Sequence, residues 1–223
     1  MAESDVKILI LKYDAFDKRY VNISGDKIGS VSNYVEIDGE GELTLNGTAT
    51  VYNDANVGGM TLRAGATTPP ITQWVDNVGA NTGIYGLGFA ALDEANGSIE
   101  ILHDYKEGTN IIFHVHWGAN AAPSGTDYVK WQLTYFMDFE SGGSTTSPAT
   151  VIVKETAYDT QYTHIRSDFP TITGTTFKIG DQINFNLKRI AADGDAFAGV
   201  AIVETIGFHY ECDSMGSKNI TTK

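Results

Sequence analysis

Residues 129–139 read VKWQLTYFMDF. Val129, Trp131, Leu133, Tyr135, Met137 and Phe139 fall on one side of a two-residue period, with Lys130, Gln132, Thr134 and Asp138 on the other; Phe136 is the exception. Successive side chains of an extended chain point to opposite faces, so this alternation predicts a strand with one face in a core and the other in water. Residues 183–190, INFNLKRI, repeat the pattern, with Ile183, Phe185 and Leu187 opposite Asn184, Asn186 and Lys188. GVAIVETIGFHYE, residues 199–211, places Val200, Ile202, Ile206, Phe208 and Tyr210 on one face, interrupted by Glu204. Almost no window holds apolar residues at helical spacing for long, and the 24 glycines argue further against a helical protein.

Turn signals divide these runs. Asn46-Gly47 inside GELTLNGTATVY predicts a tight hairpin of two short strands, and Asn96-Gly97 between GIYGLGFAAL and SIEILHDY predicts a second. ESGGSTTSPAT and AADGDAFAG read as polar loops. Short strands separated by glycine-rich turns fit a β-sandwich or jelly roll. The predicted organisation is an N-terminal attachment arm with a β-hairpin over residues 1–65, a jelly-roll-like sandwich over 66–212, and a polar surface tail over 213–223.

A net charge of −13 disfavours binding to nucleic acid or to an anionic membrane. The single cysteine, Cys212, excludes an intrachain disulfide, and its acidic neighbours Glu211 and Asp213 work against a reactive thiolate. The opening MAESDVKILILKY does not read as a signal peptide, and no stretch approaches a membrane span. No P-loop, nucleophile elbow, dinucleotide fingerprint or zinc-finger spacing is present. The three tryptophans, Trp74, Trp117 and Trp131, and the 11 tyrosines could build a sugar platform, but several share faces with Val, Ile and Leu and are expected in the core.

The candidate chemistry lies in HDYKEGTNIIFHVHW, residues 103–117. Its first half, with Asp104, Lys106, Glu107 and Gly108, is loop chemistry. In its second half the two-residue period sends Ile111, Phe113, Val115 and Trp117 to one face and Ile112, His114 and His116 to the other. Side chains two apart on a strand lie about 7 Å apart along the chain, so His114 and His116 could share a divalent metal. Gly108, His114 and His116 also match the opening of the cupin G-x5-H-x-H motif. The glutamate expected next is missing, since Asn120 and Ala121 stand in its place. A third ligand would come from His164, His209 or Glu211. The competing expectation is that both histidines line a half-buried sheet face or a subunit interface without metal or cofactor.

Four separated segments, LTLNGTATVYND, LHDYKEGTNIIFHVHW, VKWQLTYFM and FHYECDSMGSK, occur in that order. Together they resemble a widespread family of tailed-bacteriophage and prophage virion structural proteins, over residues 43–218. Tyr52, Asn53 and Phe113 stand where that family more often has Trp, Asp and Pro. The resemblance implies a β-rich, multicopy particle component with no catalytic residues. The expectation is a non-enzymatic virion protein, made in a host cytoplasm, that serves as head decoration, head fibre, or tail or adaptor component. Its expected partners are itself, as a homotrimer, and other virion proteins. KILILKYDAFDKRYV and the Asn46-Gly47 hairpin are the candidate contacts with the particle. The alternatives are a receptor- or carbohydrate-binding module at a fibre tip, and a cupin-like metalloenzyme using His114 and His116.

Overall fold

The alternation of residues 129–139 is realised in β12 (Tyr128–Asp138), where Val129, Trp131, Leu133 and Met137 are buried and Phe136 faces out. The structure, a computed structural model, describes residues 10–14, 19–24, 27–37, 41–75, 80–145, 147–158 and 160–219. Beside β12 runs β15 (Gln182–Ile190), antiparallel, with Leu133 opposite Leu187 and Met137 opposite Ile183. Adding β13 (Ala149–Thr156), β10 (Glu94–Glu100) and β7 (Arg63–Ala64) gives a sheet of order β13-β12-β15-β10-β7.

A second sheet is centred on β11 (Ile112–Ala119) and β16 (Ala201–Cys212). With β14 (Ile165–Asp168), β9 (Asn81–Phe89) and β8 (Ile71–Val75) its order is β14-β11-β16-β9-β8. One edge of β16 is shared along its length. Ala201–Val203 pairs with β9, and Thr205–Cys212 pairs with β6 (Val51–Gly58).

The two sheets face each other across one apolar core. Phe113 of β11 meets Phe185 of β15 with ring centroids 5.7 Å apart, and Trp117 of β11 meets Trp131 of β12 at 6.1 Å. Edge-on aromatic contacts of this kind fill the space between packed sheets. The fold is therefore an all-β, jelly-roll-like sandwich.

Ahead of it lies an antiparallel meander of β1 (Ile10–Asp14), β2 (Arg19–Ser24), β3 (Lys27–Gly29), β4 (Tyr34–Ile37) and β5 (Leu43–Asn46), each paired with the next. The Leu45 N–H donates to the Asp213 carbonyl at 2.6 Å, and Thr44 bridges to Ser214, so β5 is joined to the end of the sandwich. Of the predicted contact stretch at residues 7–21, residues 7–9 and 15–18 lie outside the described residues.

Several expectations need correction. Asn46-Gly47 does turn the chain, but β5 pairs with β4 and β6 with β16, so no hairpin forms. Gly47 has φ +66°, and a Cβ there would sit 2.1 Å from the Ser32 carbonyl oxygen. Asn96-Gly97 lies inside β10. A Cβ on Gly97 would fall 2.5 Å from the Phe185 ring, so this glycine makes room for core packing rather than a turn. The turn comes earlier, at Ala90–Asp93, where the Asp93 carboxylate accepts the Ala90 N–H at 2.8 Å. In β16 the register slips at Glu204: Thr205 faces His116 while Val203 faces Trp117. This bulge switches parity, so Ala201 and Val203 join Ile206, Phe208 and Tyr210 in the core between the sheets, while Ile202, also fully buried, packs on the opposite face beside Gly86. Residues 51–64 were expected in the arm, yet β6 and β7 belong to the sandwich sheets. Ser214, expected in a surface tail, is buried, and residues 220–223 lie outside the described residues.

Candidate functional site

β11 carries Phe113, Val115 and Trp117 into the core and turns His114 and His116 to the opposite face. His114 is nonetheless fully buried, and among the described residues neither of its ring nitrogens has a hydrogen-bond partner. The pairing explains its surroundings. His114 lies opposite Gly207, which has no side chain, and the next outward residue of β16 is His209, opposite Asp54 of β6. The His114 and His209 rings stack at 4.3 Å, and His209 Nδ1 is held by the Asp54 carboxylate. His116 meets the edge of His114 at 4.9 Å and hydrogen-bonds His164 between Nδ1 and Nε2 at 2.7 Å. His164 in turn approaches Glu204 at 3.8 Å. Four of the five histidines thus form one cluster on the outer face of this sheet.

Burial, reinforced by the neighbouring His209, pushes the His114 imidazole down to about 4 against the pull of Asp54. Burial, then His164 and Arg166, also lower His116. At neutral pH His114 is therefore a neutral imidazole, the form that binds metals. Donor atoms of Asp54, His114 and His209 lie within 4.8 Å of one another. The two histidines singled out from sequence share a face, but each has a different close partner: His209 for His114, and His164 for His116. Glu211, the other ligand considered, is bound by Lys106 at 2.8 Å and by the Thr50 hydroxyl. Asp54 had no distinguishing local signal, because only the β6–β16 register brings it to His209.

A second cluster joins three segments that are far apart in sequence. Asp104 accepts hydrogen bonds from the Tyr210 hydroxyl at 2.8 Å, Asn53 Nδ2 at 3.0 Å and the Cys212 thiol at 3.4 Å. Burial works to raise its carboxyl, but these three donors outweigh it and hold the group below the usual range. The Asp213 N–H donates to the Asp104 carbonyl and the Lys106 N–H to the Glu211 carbonyl, while His103 reaches Ser217. The segments VYND, HDYKEG and HYECDS are thereby drawn into one junction, whose Asp213–Ser214 end pairs with β5.

Trp117 and Trp131 are core residues, as their faces predicted. Trp74 is half-buried, with its ring 5.5 Å from that of Tyr162. An open depression of about 400 Å³ between β6, β7 and β10 is lined by Val57, Leu62, Arg63 and Asn96 and excludes the histidines.

No protein-family model matches the chain, and no curated protein matches it. Among solved structures it is similar to the CBM36-1 domain of a multidomain xylanase from the hindgut metagenome of Trinervitermes trinervoides, at 13% identity and TM-score 0.37, over 70% of this chain and 96% of that one. It is also similar to a carbohydrate-binding module CBM36 in complex with calcium and xylotriose, at 17% identity and TM-score 0.36, over 69% and 98%. A third is the exo-beta-1,3-galactanase of Phanerochaete chrysosporium with galactose, at 9% identity and TM-score 0.37, over 85% of this chain but 36% of that one. Likeness at this level carries no conclusion about this chain.

Proposed function

We propose that this chain is a non-enzymatic structural component of a tailed-phage particle, present in many copies and held to its neighbours through the N-terminal meander. The observation that carries this reading is the junction at Asp104. Three of the segments behind the resemblance, far apart in sequence, meet there, next to the Asp213 and Ser214 links to β5. The junction ties β6 and the end of β16 together, and the adjoining Asp213 and Ser214 link to the meander through Leu45 and Thr44. The meander also exposes apolar side chains: Val31 is 97% exposed, and Ile28 and Ile37 are each 50% exposed. Such side chains are better covered by a partner surface. Mass spectrometry of gradient-purified particles from the source of this sequence tests the proposal. The chain should co-purify in many copies per particle; finding it only in the soluble lysate would refute the role.

A second reading, a carbohydrate- or receptor-binding module, is favoured by the half-buried Trp74–Tyr162 ring pair. Aromatic faces open to solvent suit stacking on sugar rings. Under this reading, glycan-array binding by the purified chain should fall at least tenfold in Trp74→Ala. No glycan binding by the unaltered chain would dismiss it.

A further inference from the structure

We propose that Asp54, His114 and His209 form a binding site for one divalent transition-metal ion of the zinc class, linking β6, β11 and β16. This inference does not depend on either reading of the overall function.

Two independent observations converge on it. The donor atoms of the three residues lie within 4.8 Å of one another. In a tetrahedral zinc site, metal–ligand bonds of about 2.0–2.2 Å place ligand atoms roughly 3.3–3.6 Å apart, so binding draws the donors together by about 1 Å and tilts the stacked His114 and His209 rings to aim at one ion. Separately, His114 is fully buried with both nitrogens unpartnered among the described residues. An imidazole with no hydrogen bond on either side is an uncompensated cost in a folded protein, and a metal ion is one partner that removes it. His114 forms the floor of the site. Asp54 and His209 form its rim, with their side chains 42% and 27% exposed, so an ion enters from solvent and a fourth position stays open to water. The Asp54–His209 contact already orients the rim, and the carboxylate moves from the ring nitrogen to the metal on binding.

The donor set selects the metal. Two imidazoles and one carboxylate suit zinc, cobalt or nickel, whereas calcium and magnesium require mainly oxygen ligands. Because the three residues sit on three adjacent strands, the ion would tie β6, the strand that follows the meander, into the sandwich sheet.

The test uses the full, tag-free chain, stripped with a chelator and titrated with zinc chloride by calorimetry, with bound metal counted by elemental analysis. One zinc per chain is expected, with a rise in Tm on binding. His209→Ala and Asp54→Ala, both at partly exposed positions, should each weaken zinc binding at least tenfold and abolish the Tm rise. His114→Ala confounds folding with binding, so these two variants decide the matter. The double variant His116→Ala/His164→Ala should retain the zinc. Absence of saturable zinc binding overturns the proposal. So does binding unchanged in both rim variants, binding lost only with His116 and His164, or a preference for calcium.

Discussion

Replacing Asp104 with Ala should destabilise the protein by about 2–3 kcal/mol, and the figure follows from its three donors. The Tyr210 hydroxyl is buried and donates at 2.8 Å to a charged oxygen, a bond worth roughly 1.5–3 kcal/mol. The Asn53 bond, at 3.0 Å and exposed, adds about a third as much on the same scale, and the thiol contact at 3.4 Å is minor. Asp104 itself is only half-buried, so solvent screening places the sum toward the low end. For a chain of this size each kcal/mol lowers Tm by about 2–4 °C, giving a drop of roughly 4–12 °C. Urea titration followed by tryptophan fluorescence measures the effect, and a cycle with Tyr210→Phe isolates the pair. Phe at 210 should cost about 1–2 kcal/mol alone, with a coupling of about 1–2 kcal/mol. The sign of the pH dependence is fixed by the depressed carboxyl. The unfolded chain takes up this proton first as pH falls, so the stabilisation is complete above the ordinary carboxylate range near about 3.9 and is lost as pH falls through the lower native value. The difference between the unaltered protein and Asp104→Ala should shrink at pH 3 relative to pH 7. A cost below about 0.5 kcal/mol, within the range of ordinary surface changes, or a coupling near zero would refute the junction as a structural fastening.

Other positions give sharper single tests. Arg189 is buried and its guanidinium donates to the carbonyls of Phe89 at 2.7 Å, Gly199 at 2.6 Å and Phe197; Arg189→Met should cost about 3–5 kcal/mol by chemical denaturation, and Arg189→Lys should restore only part of it. Ser167→Ala strips the 2.9 Å acceptor from the buried Trp117 N–H and should cost about 1–3 kcal/mol, read from the same transition. At Gly174 a Cβ would lie 1.8 Å from the Thr109 carbonyl oxygen, so Gly174→Ala should lower Tm measurably in calorimetry. An unchanged Tm would show that the loop shifts freely.

The local period of two was enough to place most core side chains. Trp131, Leu133, Ile183, Phe185, Phe113 and Trp117 are buried where alternation put them, because each residue's face depends only on its neighbours along the strand. The shared face of His114 and His116 was legible for the same reason. Which strand lies beside which was not legible. Both Asn-Gly pairs marked glycine requirements, but Gly47 connects two different sheets and Gly97 accommodates a ring of β15. The bulge at Glu204 reversed the parity of half of β16, which a strict period cannot anticipate. Asp54 and His209, 155 residues apart, meet only because β6 takes the free edge of β16, and Asp104 reaches Tyr210 only across the same packing. Strand faces are set by backbone geometry within a few residues, whereas pairing and register are set by hydrogen bonds and core packing between distant segments. For this reason the sequence by itself determined an all-β chain with two histidines on one face, and only the tertiary structure decided which residues stand around them.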